Sequence, residues 1–120
     1  MRSMSPKTIE NAEKEFFMTK SVSDWVRDCH LAARENGFWA KKRNVGEMLM
    51  LIVSELGEAI EAHRKGDFGL ELKDTFEDEL ADTAIRLFDL CGGLEIDLEK
   101  QMKWKINFNK SRKKRHGKAY

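Results

Sequence analysis

From Asn44 to Lys65 the chain reads as one uninterrupted helix. Asn44 is a cap residue with Glu47 three positions on, and Arg64-Lys65-Gly66 puts cations and a glycine stop at the far end. Between them Val45, Leu49, Ile52, Leu56, Ala59 and Ile60 recur at helical spacing and form the expected core stripe. Met48, Leu51 and Ala62 widen the apolar arc beyond one packing face. A helix so broadly apolar is buried on more than one side, inside a bundle and across an interface between copies of the chain. Glu55 falls inside this arc, and Glu58 lies at its border. A carboxylate in such a place needs a counter-ion or a metal.

The remainder is also helical in pattern. The only proline is Pro6, so none interrupts a helix after it, and few segments alternate apolar with polar residues. The spacing predicts a helix over Ser21–Asn36, capped by Ser23 with Asp24 in its first turn and stopped at Gly37. A third runs from a cap at Asp74 or Thr75 to about Cys91, where Gly92-Gly93 is expected to break the chain. A last helix runs from about Leu94 toward Arg112. Short connections favour antiparallel neighbours. The expected fold class is all-α, an antiparallel four-helix-type bundle, in a single helical domain over 21–112. Residues 1–20 are an N-terminal extension, expected to be helical or partly disordered, and 113–120 a basic tail.

On the third helix Phe76, Leu80, Ala81, Ala84, Ile85, Leu87, Phe88 and Cys91 form the apolar face. Glu79, Asp82, Arg86 and Asp89 fall opposite, on a side that periodicity alone assigns to solvent. Two acidic i, i+3 pairs, Glu55/Glu58 and Glu79/Asp82, thus sit on consecutive helices. On facing antiparallel helices four carboxylates would meet and repel. A hard divalent cation resolves that, and oxygen-only ligands favour Mg2+, with Mn2+ as the alternative. Similar acidic pairs occur elsewhere, such as Glu10/Glu13 and Glu71/Asp74, so spacing leaves a metal site and a solvated face both open.

Charge is uneven. Residues 51–100 carry 14 acidic and 5 basic side chains, whereas 101–120 carry 8 basic and none acidic. The tail and Lys41-Lys42-Arg43 could neutralise a polyphosphate, or the tail could merely offset the acidic body. Phe38-Trp39 beside those cations could meet a base or plug the end of a core. Cys29 and Cys91 lie far apart, which fits a reducing, cytoplasmic setting. No signal peptide is expected, and the run at 48–53 is too short to cross a bilayer.

Glu55-Leu-Gly-Glu58 followed by Glu79-Leu-Ala-Asp82 resembles the MazG-like nucleoside triphosphate pyrophosphohydrolases, whose hallmark is an E-x-x-E pair and an E-x-x-D pair on successive helices. The strings from Ser54 to Ala62 and from Asp78 to Leu87 are similar too. Lys105, Asn109, Arg112 and His116-Gly117-Lys118 resemble a K-N-R-HGK pattern of some members. The resemblance covers about residues 21–118. It implies a four-helix core, a homodimer or homotetramer, and Mg2+-dependent hydrolysis of a (deoxy)nucleoside triphosphate to the monophosphate and pyrophosphate. It implies that Glu55, Glu58, Glu79 and Asp82 hold the metal, so that the polar side of the third helix faces a cleft. Glu55 would orient the attacking water. Lys105, Asn109, Arg112 and Lys118 would steady phosphates, Trp39 would stack on the base, and His116 would lie near the substrate. Ser54 departs from members with glutamate there, which removes one acidic contact. The alternative from another class is a non-catalytic helical module holding nucleic acid through the tail. The poor aromatic interleaving of 110–120 weighs against it.

Overall fold

A computed structural model describes residues 6–7, 9–10 and 19–112. Expectations for the rest of the N-terminal extension and for the tail lie outside the described residues. Within them the chain is all-helical and contains no strand. Four helices follow in order, α1 (Val22–Glu35), α2 (Val45–Lys65), α3 (Phe76–Gly93) and α4 (Leu98–Ser111). None is long and apolar enough to cross a membrane.

Local chemistry sets the boundaries. Ser21, not Ser23, caps α1, because only Ser21 stands three residues before an acid. The Asp24 amide donates to Ser21 Oγ at 3.1 Å and the Ser21 amide to Asp24 at 3.0 Å, a reciprocal capping box. Asn44 caps α2, accepting from the Glu47 amide at 2.9 Å, and Gly66 closes it at φ 74°, a left-handed conformation that suits glycine. Thr75, rather than Asp74, caps α3. Its buried hydroxyl donates toward the carbonyls of Gly69 (2.9 Å) and Leu72 (3.0 Å) and accepts from the Asp78 amide at 3.2 Å. That cap pins the start of α3 to the preceding loop. His63, Phe68 and Phe76 pack edge to face above it, with ring centroids 5.2–6.0 Å apart.

α3 is the central element, packed on α2 along one side and on α1 along another. Glu55 meets Arg86 while His63 meets Phe76, so α2 and α3 are antiparallel. His30 meets Asp89 while Val26 lies by Gly92, so α1 is also antiparallel to α3. α1 and α2 therefore run in the same direction on either side of α3. The connection over 36–44 carries the chain back along α3 instead of closing a hairpin.

Gly92-Gly93 does not break α3. Both residues are helical, and the end comes at Leu94. A β-carbon on Gly92 would lie 2.5 Å from His30 Cβ and 3.2 Å from the Val26 carbonyl, and one on Gly93 would run into the Trp39 ring. The glycines let α1 and Trp39 approach the backbone closely.

α4 starts at Leu98, after a connection over 94–97 and a cap at Asp97. Its first turn is fastened to α1 by Glu99, which accepts from the Val22 amide at 3.0 Å and the Ser23 hydroxyl at 3.4 Å. No residue of α4 is buried.

The orientation of α2 corrects the expected core stripe. Met48, Ala59 and Ala62 are its buried residues, while Val45, Leu49, Leu56 and Ile60 are exposed, Ile60 by 61%. α3 is turned likewise: Glu79 and Asp89 are buried, whereas Leu80, Ile85 and Leu87 are exposed. Small residues on α2 let the two backbones approach, and the polar stripe of α3 occupies the interior.

Candidate metal centre and its cleft

One turn of α2 carries Glu55 and Glu58, and the opposed turn of α3 carries Glu79. Carboxylate oxygens of these three lie within 4.8 Å of one another. Glu79 is only 7% exposed, and its Oε2 has no hydrogen-bond partner. A buried oxygen without a partner is costly unless something else fills the place. Burial, the adjacent Glu58 and Glu55 carboxyls, and the charges of Glu58 and Asp82 push the Glu79 carboxyl up to about 7. Glu55 moves the opposite way. Burial would raise its carboxyl, but the Arg86 hydrogen bond and those shared with Glu58 and Glu79 outweigh it and hold it low.

Asp82, the fourth expected member, is not part of this group of three. With one carbon fewer it lines the adjoining cleft, and its carboxyl is raised by burial and by the charges of Asp78 and Glu55, against Arg86. A second acidic group, Asp74, Asp78 and Glu79, shares Glu79 and extends the negative field toward the start of α3.

The residues present fit a hard divalent ion. The donors are all carboxylate oxygens, they converge from two rigid helices, and one is buried and unpartnered. Nothing in the donor set is soft, as Cys29 and Cys91 are elsewhere and burial pushes both thiols up.

From Glu55 and Asp82 a cleft of about 530 Å3 extends between α1 and α2. Cys29, Ala32, Ala33, Leu51 and Ile85 give it apolar walls, Arg86 and Asp89 line it from α3, and Asn36, Phe38 and Arg43 come from the end of α1 and the loop beyond. Asp89 anchors that loop. It accepts from His30 Nδ1 at 3.0 Å, Trp39 Nε1 at 2.8 Å and Arg43 Nη1 at 3.2 Å. The Arg43 guanidinium also lies 5.3 Å above the Trp39 ring.

Trp39 is thus tied into the interior, over Gly93, and does not line the cleft. Its neighbour Phe38, 60% exposed, does. Lys41 and Lys42 line an adjoining hollow of about 270 Å3, with Asn44 and Glu47, that shares Phe38 and Arg43 with the cleft. Lys105 and Asn109 on α4 and Arg112 at its C-terminal cap are exposed, none at the cleft of their own chain. Lys105 instead lies 5.1 Å over Phe108, which stacks on Trp104 at 5.4 Å, and Arg112 lies 5.6 Å over the same ring. His116 and Lys118 lie outside the described residues.

Sequence reasoning missed the parts played by Arg86, Asp89 and His30. A signal existed: positions 79, 82, 86 and 89 form one i, i+3, i+7, i+10 stripe of mixed charge. A purely solvated face and an interior polar seam share that pattern.

Fold and site together define a class, an all-helical protein with a carboxylate centre at the end of a half-apolar cleft. The chain matches no family model, no curated protein and no solved structure.

Proposed function

We propose that this protein is a nucleoside triphosphate pyrophosphohydrolase of the MazG-like kind, dependent on Mg2+ (or Mn2+) and acting as a homodimer or homotetramer in a reducing cytoplasm. The observation that carries the reading is the convergence of Glu55, Glu58 and Glu79, with the unpartnered Glu79 Oε2, at the end of a cleft that also presents cations and an aromatic ring.

Glu55, Glu58 and Glu79 would hold the ion, with Asp82 completing the set from the cleft side. When bound, the ion supplies Lewis acidity toward phosphate oxygens and water. The apolar walls of Cys29, Ala32, Ala33 and Ile85 receive the nucleoside and exclude water, and Phe38 offers a ring for the base. Water attacks the α-phosphorus, the bond to the bridging oxygen breaks, and pyrophosphate departs. Glu55 takes the water proton.

A second copy of the chain fits the exposed side. Leu49, Val53, Leu56 and Ile60 form a stripe spaced 4, 3 and 4 along the outside of α2, the repeat of a helix–helix seam. α4, none of whose residues is buried within its own chain, offers Trp104 and Phe108 to the same assembly. In it Lys105, Asn109 and Arg112 could reach a partner's phosphates.

The test is pyrophosphate release from a panel of nucleoside and deoxynucleoside triphosphates with and without Mg2+. Glu55→Ala and Asp82→Asn are expected to abolish turnover. Wild-type turnover in either variant refutes the assignment of these carboxylates.

A further inference from the structure

Among the described residues, the one cation in direct contact with the carboxylate centre is Arg86. Its Nε donates to Glu55 Oε1 at 2.9 Å, and among the described residues no other acceptor is within hydrogen-bond distance of its guanidinium. The Arg86 side chain remains 40% exposed while that of Glu55 is 13% exposed. An ion pair with one partner so open to water contributes little to folding. Arg43, the other arginine of the cleft, is differently placed. It is bonded to Asp89, lies against Trp39, and has a side chain only 19% exposed. Arg43 is held by Asp89 and the Trp39 ring, whereas Arg86 is held by the single bond to Glu55.

We infer that Arg86 is a phosphate-binding residue which serves as the counter-ion of Glu55 until a divalent metal and a polyphosphate enter together. The inference rests on the proposed function and deepens it. The guanidinium offsets the crowding of Glu55, Glu58 and Glu79 whenever no divalent ion is bound to them. A divalent ion on Glu55 supplies that charge instead, so the reason for the Arg86–Glu55 bond disappears. The guanidinium lines the same cleft as Glu55 and Asp82, one turn beyond Asp82, where it would be available to a polyphosphate held by the carboxylates' ion. It is always charged, planar and able to donate two parallel bonds to one phosphate, as a lysine cannot. The displacement also gives an order. A metal ion alone must compete with Arg86, whereas a metal–polyphosphate replaces the lost partner with a better one.

The experiment is calorimetric titration of the full chain at pH 8 with Mn2+ alone, then with inorganic tripolyphosphate in saturating Mn2+, for wild type, Arg86→Gln and Arg86→Lys. Circular dichroism verifies the fold of each variant. Arg86→Gln is expected to bind Mn2+ alone about 10-fold tighter, because a repelling charge is gone. The same variant is expected to bind tripolyphosphate about 10- to 100-fold more weakly, the loss of a charged hydrogen-bond pair. Arg86→Lys, which keeps the charge but not the fork, is expected to hold wild-type Mn2+ affinity and lose part of the tripolyphosphate affinity. Unchanged affinity of Arg86→Gln in either titration overturns the inference. If wild type hydrolyses triphosphates while Arg86→Gln matches it in both titrations, this inference fails and the enzyme reading stands. If the binding changes occur but no triphosphate is hydrolysed, the enzyme reading fails and Arg86 keeps its role.

Discussion

Asp89→Ala is the substitution whose cost follows most directly from the structure. The Asp89 side chain is 9% exposed and receives three donors, from His30, Trp39 and Arg43, at 2.8–3.2 Å. Truncation strands all three. Removing one partner of a buried ion pair costs about 3–5 kcal/mol, and a hydrogen bond to a charged group is worth about 1.5–3 kcal/mol. These do not add, because the donors share one acceptor and because His30 and Arg43, each 19% exposed, regain some water. A loss of about 3–4 kcal/mol is expected, a large part of the roughly 5–15 kcal/mol that holds a domain together. For a chain of this size that lowers Tm by about 12–16 °C. Asp89→Asn keeps one carbonyl acceptor for the Trp39 indole and should lose about half as much. The assay is urea unfolding followed by circular dichroism at fixed protein concentration, since any association between copies shifts the midpoint. Asp89 lies ten residues from Glu79, about 15 Å along α3. Mn2+ binding at the carboxylates should therefore survive in the folded variant. A loss below about 1 kcal/mol would mean that water already satisfies these donors, and the hub would lose its structural meaning.

Glu79→Gln keeps the shape of the side chain and removes a charge from a crowded centre. In EDTA its Tm should rise above wild type, and the further rise that Mg2+ gives wild type should vanish. A variant no more stable in EDTA would show that the carboxylates do not strain the metal-free fold. With respect to pH, the folded metal-free protein keeps on Glu79 a proton that the unfolded chain releases near 4.5, until pH passes about 7. Its stability in EDTA should thus fall as pH rises from about 4.5 to 7 and level off above that, and the slope should be smaller in Glu79→Gln. Gly92→Ala sets a methyl against His30 Cβ and the Val26 carbonyl, and overpacking of about 1–3 kcal/mol should outweigh the helix-propensity gain of about 1 kcal/mol. A Tm equal to or above wild type contradicts the close approach of α1. Leu56→Glu on the outer stripe of α2 should leave helicity intact and reduce the mass in sedimentation velocity to the 14.0 kDa of one chain. A wild type that already sediments as one chain refutes the seam.

Much of the backbone was legible because capping is local. Asn44 and Gly66 mark α2 correctly, and Thr75 was one of two expected caps for α3. The miss at Ser23 was avoidable, since a capping box needs an acid three residues on and only Ser21 has one. Gly92-Gly93 misled for a deeper reason. Glycine is both a helix stop and a place where another backbone comes close, and only the position of α1 and Trp39 distinguishes the two. For the site, the i, i+3 pairs Glu55/Glu58 and Glu79/Asp82 marked the acids, but periodicity assigned Glu79 and Asp82 to solvent, whereas Glu79 is buried against Glu55 and Glu58 and Asp82 lines the cleft. The roles of Arg86 and Asp89 were not legible, because each depends on a partner 31 or 46–59 residues away.

Periodicity identifies the side chains that avoid water and is silent on which neighbour covers them. On α2 and α3 that silence had consequences. The helical wheel puts Leu49, Leu56 and Ile60 in one core stripe with Ala59, yet of these only Ala59 is buried, beside Met48 and Ala62, and the larger residues face out. Carboxylates from two helices meet within 4.8 Å only where the backbones are close, and small side chains permit that closeness. An interior built this way is poor in apolar burial: no large side chain in the described residues is fully enclosed, and acids occupy positions that leucines would fill. The free energy of holding Glu55, Glu58 and Glu79 together must then come from elsewhere. The outer stripe of α2 and the Trp104–Phe108 pair of α4 are exposed apolar surfaces that can supply it. On this argument the centre and the proposed second copy depend on each other. A substitution that separates the copies should also loosen the carboxylates, and Mn2+ affinity measured on Leu56→Glu at equal helicity should fall. If the separated chains bind Mn2+ as tightly as the assembled ones, the inner packing alone suffices and the outer stripe has another purpose.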